Sequence, residues 1–425
     1  MATTAAPATD TRVKNGDGTG RGGGDGAGVR RRHRLGDRIW PLGFALAAVL
    51  VFVLYQWILP QAPAGVSDFF QTWLPMSTIN QCVIWATMAV GLNVVVGYAG
   101  LLDLGYVAFW AIGGYVAGWL MSGFFGQWQI NFFGHPAPGQ ESGIHLSFWL
   151  VLPLAGLFCA LWGVIIGAPT LRLKSDYLAL VTLGFGEIIP EVFKNGENIN
   201  GFNLSNGVKG ITPLDPISTG PFAYLGVPEE LGPFDETWKF VIYVLIATFA
   251  VFVSLRIREG RLGRAWLAIR EDELAASMMG VPLMRTKLAA YAVGAFIGGI
   301  GGVAYASAVG GVAAEDFAFS SSIILLAMVV LGGMGNVWGV MLGALVLQWI
   351  NSNGLAKAGE AINQAVGKDL NFPSYNFLVF GAILILMMLF RREGLLPETR
   401  TRQVLREPDR GGAEPADAEL EGERR

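Results

Sequence analysis

The chain has 425 residues, of which 52% are hydrophobic and 15% are charged, and its formal net charge is −3. A soluble domain carries nearer a quarter charged residues. Here the apolar residues also come in blocks of about 20 residues, the length that crosses a bilayer. The composition therefore excludes an ordinary soluble protein and predicts an integral membrane protein.

Polar tails flank the apolar part of the chain. Residues 1–38 are rich in Gly and Arg and lack the apolar residues of a core, so this tail is expected to be disordered. The run from Ile39 to Leu59 is too long for the apolar region of a signal peptide, and no small-residue cleavage site follows it. We interpret the run as a retained first membrane helix. Residues 391–425 form the second polar tail.

Between the tails, residues 39–390 are predicted to form one transmembrane domain. Its apolar blocks are 39–59, 78–97, 104–121, 146–167, 177–193, 238–255, 287–309, 322–334, 336–350 and 375–390. They predict an all-α integral membrane protein with about ten (8–10) transmembrane helices. The last few blocks are short for a full span and are expected to be tilted, broken or re-entrant.

The distribution of basic residues predicts the orientation. If the N-terminus is inside and every block crosses, 25 of the 30 Lys and Arg residues fall on the inner side. An excess of Lys and Arg marks cytoplasmic segments, so both termini are expected to be cytoplasmic. The longest internal loop on this side is 256–287 and the longest outer loop is 194–237. An outer loop of this length usually has a function.

Motifs for catalysis or for metal and nucleotide binding are missing from the sequence. Cys82 and Cys159 lie in apolar blocks, and the three histidines show no ligand spacing. A GxGxxG match at Gly18, Gly20 and Gly23 has no strand before it and lies in the low-complexity tail. We therefore expect no catalytic residue, metal site, cofactor or nucleic-acid partner. Uphill transport would need energy from a partner or an ion gradient.

Two glycine series have the GxxxGxxxG spacing that places glycines on one helix face. On such a face a second helix can approach closely. Tight packing within the subunit is the favoured interpretation, and an interface with a partner subunit is the alternative. The series are Gly294, Gly298 and Gly302, and Gly335, Gly339 and Gly343.

Two carboxylates interrupt apolar segments. Asp103 lies between two apolar blocks, and Glu187 lies in an apolar helix just before Pro190, which would break that helix. Carboxylates inside a membrane are costly and usually face a cavity or a partner. Both are therefore candidates for the substrate path, with a structural hydrogen-bonding role as the alternative for Glu187.

The inner loop 256–287 contains the sequence "REDELAASMMGVP" at residues 270–282. Glu271 and Glu273 fall where acids favour a helix dipole, in a first turn. Gly280 suits the left-handed position that ends a helix, and a proline two residues later prevents its continuation. A short helix with small residues could insert into a groove on another protein or lie on the membrane surface. The residues alone leave both alternatives open.

Several stretches together resemble the branched-chain amino acid permeases of ABC importers, of the LivM type. They are "GYAGLLDLGYVAFWAIGGYVA", "LRLKSDYLALVTLGFGEII", "GRLGRAWLAIREDELAASMMGVPLMRTKLAAYAVGAFIGGIGGVAYA", "LAMVVLGGMGNVWGVMLGA" and "FRREGLLP". The importer motif E-A-A-x-x-x-G is matched by Ala275, Ala276 and Gly280. Its glutamate position holds Leu274, with Glu273 one residue early. The resemblance implies an ATPase-coupling role for this segment.

The resemblance also implies the function and the partners. It implies an ABC importer permease fold and a non-enzymatic subunit of an ATP-driven importer for branched-chain amino acids in the bacterial plasma (inner) membrane. The implied partners are a homologous second permease, two ATP-binding cassette subunits, an extracytoplasmic substrate-binding protein and membrane lipid. The tail 1–38 and the loop 123–146 look like additions to a minimal permease. A permease for urea or another small polar solute is the alternative. An ion-coupled secondary transporter is a further one, although no clear internal repeat is visible.

Overall fold

The computed structural model describes residues 41–173, 175–219, 228, 230–232, 235–366, 372–391 and 394–396. The tail 1–38 and most of the tail 391–425 lie outside the described residues. The chain divides into two units, Met1–Leu50 and Val51–Arg425. The described part of the first unit, residues 41–50, is helical.

Each of the ten apolar blocks contains a helix, because apolar side chains and internally bonded backbone suit the bilayer. Four further helices are shorter or more polar and lie between these blocks. The helices are α1 Pro41–Gln61, α2 Ala64–Trp73, α3 Met76–Asn93, α4 Val107–Leu120, α5 Phe148–Thr170, α6 Ser175–Lys194, α7 Glu236–Glu259, α8 Arg261–Glu271, α9 Glu273–Met278, α10 Leu283–Val309, α11 Phe319–Gly332, α12 Val337–Trp349, α13 Leu355–Val366 and α14 Asn376–Phe390.

Within the described residues, 5 helices are long and apolar enough to cross a membrane. The chain is therefore a multi-pass helical membrane protein, and the number of about ten crossings stays a prediction. The 5 helices are Pro41–Gln61, Ala64–Tyr98, Phe148–Thr170, Glu236–Glu259 and Leu283–Val309, and the shorter apolar helices are Val107–Leu120, Phe319–Gly332 and Asn376–Met387.

Helix α10 forms the centre of the core and packs against α3, α4 and α5. Its glycines allow these contacts: a Cβ built on Gly302 would lie 2.3 Å from the carbonyl oxygen of Trp110, and one on Gly294 2.5 Å from Val95. A Cβ on Gly298 would lie 3.1 Å from the Tyr106 hydroxyl. The first glycine series therefore faces helices of the same chain.

The second glycine series is not a continuous helical stripe. Gly339 and Gly343 lie in α12, where an added Cβ would lie within 2.7 Å of backbone atoms of Gly332 in α11. Gly335 instead lies in the turn between these helices with φ +90°. Asn336 then begins α12 as its N-cap, its side chain accepting from the amide of Trp338. The predicted helical position of Gly335 is therefore wrong, because the tight turn needs a positive φ there.

Two small sheets depart from the all-α expectation. Strands β1 (Met121–Ser122), β2 (Gln129–Phe132) and β3 (Gly143–Leu146) form a sheet in the order β1-β3-β2, with β1 antiparallel and β2 parallel to β3. Strands β4 (Ile217–Ser218) and β5 (Glu230–Leu231) pair antiparallel. These strands have two to four residues, too few for an alternating hydrophobic pattern to reveal them.

A buried pair, His145 and Asp215, joins the loops that carry the two sheets. His145 Nδ1 lies 2.8 Å from Asp215 Oδ2, and both side chains are buried. The other carboxylate oxygen accepts from the amide of Ala137 at 3.1 Å. Burial raises the pKa of the Asp215 carboxyl, while its hydrogen bond with His145 acts in the opposite direction. The pair therefore links strand β3, which contains His145, to the segment just before strand β4, which contains Asp215.

Candidate functional site

The polar loop contains two helices, α8 and α9, which are separated by Asp272. This residue has an extended backbone, with φ −154°, and its side chain accepts hydrogen bonds from the amides of Leu274 and Ala275. It is therefore the N-cap of α9. Helix α9 is followed by Gly280, whose φ of +85° confirms the predicted left-handed position. The helix begins at Glu273 rather than near Glu271, because the aspartate caps a new helix instead of continuing α8.

Helices α8 and α9 are attached to the start of α10. The indole Nε1 of Trp266 donates to the carbonyl oxygen of Thr286 at 2.7 Å. The ammonium of Lys287 donates to Glu273 Oε1 at 2.6 Å. The Lys287 side chain is only 7% exposed, whereas the Glu273 side chain is 53% exposed. Glu273 is thus engaged within the chain, as the counter-charge of a buried lysine.

One side of α9 is apolar and unusually exposed. Leu274, Met278 and Met279, here called the α9 surface, are 66%, 77% and 86% exposed. Ala275 and Gly280 are exposed beside them. Ala276 points inward and is 5% exposed, so it supports the helix from within. An exposed apolar group of this kind is typical of a surface that another protein or a membrane covers.

The Asp103 loop connects α3 to α4. Helix α3 ends in a π-helical turn, Val94–Tyr98. The Asp103 side chain is buried, and its Oδ1 accepts from the amide of Gly105 at 2.9 Å. A Cβ built on Gly105 would lie 2.0 Å from the carbonyl oxygen of Thr182 in α6. The loop that carries Asp103 therefore packs directly on the helix that carries Glu187.

Glu187 lies on a face of α6 that the other described residues leave uncovered. The glutamate is exposed, as are Tyr177, Leu180 and Ile188 on the same helix. A Cβ built on Gly184 would meet nothing within 4 Å. The opposite side of α6 packs on α4 and α11. Pro190 is accommodated within the helix, which continues to Lys194, so the predicted break at this proline is wrong.

Three polar residues of this region belong to no motif that the sequence reveals. They are Lys287, Arg270 and Asn93. Arg270 Nη1 donates to the carbonyl oxygen of Gly97, and Asn93 Oδ1 accepts from the amide of Gly335. The partners are far apart in the sequence, so no spacing rule could have paired them.

The comparisons with known proteins agree with this architecture. The family described as "Branched-chain amino acid transport system / permease component" matches residues 74–388. The LivM permease protein of the high-affinity branched-chain amino acid transport system of Escherichia coli K12 is 35% identical over 338 residues, which are 76% of this chain and 70% of the relative. The chain belongs to this permease family.

More distant members match as well. A probable LivM permease protein of Methanocaldococcus jannaschii is 28% identical over 58% of this chain and 69% of its own. The LivH permease protein of Escherichia coli K12 is 25% identical over 48% of this chain and 61% of its own. No solved structure gives a significant match. Members of the family are permease components, so the chain is a transport subunit and not an enzyme.

Proposed function

We propose that the chain is the membrane-spanning permease subunit of an ATP-driven importer for branched-chain amino acids. The observation that carries the proposal is the 35% identity to the LivM permease over 70% of that relative. Similarity to LivH, a second permease protein of the same transport system in the same organism, supports a homologous permease as partner. No relative described above points to urea or to an ion-coupled transporter.

The experiment that tests this function is uptake into proteoliposomes. The chain is reconstituted with a second permease, ATP-binding subunits and a soluble binding protein of a branched-chain amino acid importer. We expect uptake of labelled leucine that requires ATP inside the liposomes, with no uptake of labelled urea. Leucine uptake driven by an ion gradient without ATP would contradict the proposal, and urea uptake would favour the alternative substrate.

Two ATP-binding cassette subunits are proposed to supply the energy, one of them docking on the α9 surface. The support is an apolar surface on a helix that is capped at both ends and attached to α10. Since α10 has 27 residues, it is about 40 Å long at 1.5 Å per residue. It begins beside α9 and ends beside the loops that hold the sheets. Those loops are proposed to receive a soluble binding protein on the opposite side of the bilayer.

The substrate path is proposed to run along the uncovered face of α6. A glutamate on a helix face in contact with lipid would be costly, so we infer that this face is covered by the second permease. The path would then lie between the two subunits and pass Glu187. The Asp103 loop, packed on the same helix, would support it from within the chain.

Glu187→Gln is expected to lower uptake at least about tenfold while leaving the protein folded and inserted. A hydrogen bond to a charged group contributes about 1.5–3 kcal/mol, and a loss of this size lowers a rate by a factor of ten or more. Glu197→Gln is the matched control, since that glutamate is also exposed but lies beyond the end of α6, near Lys209. Uptake is measured at equal amounts of reconstituted protein. Equal uptake by the Glu187→Gln variant and the parent would remove Glu187 from the path.

The orientation is proposed to place both termini and α8–α9 in the cytoplasm of a bacterium, with the chain in its plasma (inner) membrane. The 25 of 30 basic residues on one side support this. The domain limits proposed with it are a tail 1–38, a membrane domain 39–390 with its coupling loop 256–287, and a tail 391–425.

Labelling with an impermeant maleimide tests the orientation. Val208 lies in the loop region and Arg264 in α8, and both are exposed, whereas the native Cys82 and Cys159 are buried. We expect Val208→Cys to react in cells whose outer membrane alone is opened. Arg264→Cys should react only after the inner membrane is also opened. Reaction of both from the same side would refute the orientation.

A further inference from the structure

Arg270 occupies the junction between the polar helices and the membrane core. It lies in the last turn of α8, two residues before Asp272, the N-cap of α9. Its Nη1 donates to the carbonyl oxygen of Gly97 at 2.5 Å. Gly97 belongs to the π-helical turn that ends α3. Carbonyls at a helix C-terminus lack helical partners and carry partial negative charge, so a guanidinium is a well-matched partner for this end.

The stem of Arg270 also contacts the turn that follows α3. A Cβ built on Gly100 would lie 2.8 Å from Arg270 Cγ and 3.2 Å from Arg270 Cβ. Gly100 has φ +69°, so the chain turns at this point with its backbone against the arginine. Asp103 follows only three residues later. The arginine therefore holds the start of the Asp103 loop by both its charged end and its aliphatic stem.

A second contact continues from the same end of α3 to another helix pair. Asn93 lies one helical turn before Gly97, and its Oδ1 accepts from the amide of Gly335 at 2.9 Å. A Cβ on Gly97 would lie 2.7 Å from that same amide nitrogen. Gly335 is in the turn between α11 and α12. Helices α8–α9, the end of α3 and the α11–α12 turn are thus joined in series through Arg270 and Asn93.

We propose that Arg270 is the positioning residue that transmits displacement of α8–α9 to the Asp103 loop. The inference rests on the proposed function, in which an ATP-binding subunit moves the α9 surface. The contacts of Trp266 and Glu273 lead from α8–α9 to α10, the central helix, and so fix the pair to the core. Arg270 leads instead to α3 and to the loop packed on α6. Displacement of the polar helices is therefore passed on to the region of the substrate path.

The test compares Arg270→Gln with Arg264→Gln in the reconstituted importer. Arg264 is exposed on the same helix, so its replacement removes the same charge without the Gly97 contact. The readouts are co-purification of the ATP-binding subunits, ATP hydrolysis, and leucine imported per ATP hydrolysed. We expect Arg270→Gln to co-purify normally and hydrolyse ATP, but to import about tenfold less leucine per ATP. Arg264→Gln should match the parent.

Two outcomes overturn the proposal. Leucine imported per ATP could equal that of the parent, in which case Arg270 transmits nothing. The ATP-binding subunits could instead fail to co-purify, in which case Arg270 shapes the docking surface. Leucine uptake by the parent importer is measured before any variant is compared. A parent importer that takes up no leucine would overturn the proposed function itself.

A covalent replacement for the arginine contact tests the link directly. The Cβ built on Gly100 lies 3.2 Å from Arg270 Cβ, slightly below the roughly 3.5–4.5 Å of a disulfide. Because the φ of +69° at Gly100 strains any other residue there, the Gly100→Cys variant, which keeps Arg270, is the control for that strain. We expect the Gly100→Cys/Arg270→Cys variant to import little leucine per ATP when reduced. Oxidation should restore import, because a covalent bond then carries the displacement. If the oxidised protein, with its disulfide verified by mass spectrometry, imports no more per ATP than the reduced protein, the mechanical link is refuted.

Discussion

Met279→Asp is expected to abolish leucine import and to prevent the ATP-binding subunits from co-purifying, while the chain remains folded and inserted. Met279 is the most exposed member of the α9 surface, at 86%. Methionine side chains adapt to an irregular partner surface. A carboxylate in their place would be buried without a partner on docking, at a cost of about 1–3 kcal/mol or more. The unassembled chain bears no such cost because the side chain stays in water.

The matched control for this variant is Val208→Asp. Val208 is also an exposed apolar residue, at 57%, but it lies in the loop region beyond the other end of α10. This variant should keep its ATP-binding subunits. Import comparable to the parent by Met279→Asp, with those subunits bound, would show that the α9 surface rests on the membrane instead. Ala276→Asp is less informative, since Ala276 is buried and a charge there would distort α9 itself.

The sequence predicts the helices of this fold well, because a membrane segment must satisfy its backbone internally and so requires a long apolar block. Every block contains a helix, and Gly280 ends α9 with the expected positive φ. The end of a helix is set by local residues, and a left-handed glycine followed by a proline is such a local feature. The break at Asp272 is also local, but Asp is compatible with both a helix interior and an N-cap.

The direction in which a side chain points, and so whether it is buried, could not be predicted from the sequence. Ala276 and Ala275 are neighbours in the importer motif, yet one is buried and the other exposed. Gly335 has helical spacing with Gly339 and still lies in a turn. These outcomes depend on which helices pack together, and single-sequence periodicity does not contain that information. Residue Arg270 is a similar case, since its partner Gly97 is 173 positions away.

Glu273→Gln is expected to destabilise the attachment of α9 by about 1–3 kcal/mol. The cause is the ammonium of Lys287, which is 7% exposed and would lose the carboxylate 2.6 Å away. Lys287→Gln should cost less, because the glutamate left behind is 53% exposed and remains hydrated. Thermal unfolding of the purified protein and proteolysis between α8 and α10 would measure both effects.

The Lys357–Glu360 pair provides the control. Its atoms lie 2.9 Å apart, but its side chains are 26% and 60% exposed. Surface pairs contribute about 0–1 kcal/mol, so Glu360→Gln should leave unfolding and proteolysis close to those of the parent. A loss as large as that of Glu273→Gln would mean that burial of Lys287 is not the cause.

The double variant Glu273→Gln/Lys287→Gln tests whether Glu273, which lies one residue before the glutamate position of the importer motif, serves the Lys287 pair or the docking of an ATP-binding subunit. If Glu273 serves only Lys287, the double variant should be more stable than Glu273→Gln alone, because no buried charge is left unpaired. It should also keep its ATP-binding subunits. If the double variant loses as much stability as the two single variants together, Glu273 and Lys287 are not energetically coupled. Normal stability combined with loss of the ATP-binding subunits would instead give Glu273 a direct part in docking, as the resemblance to importer permeases implies.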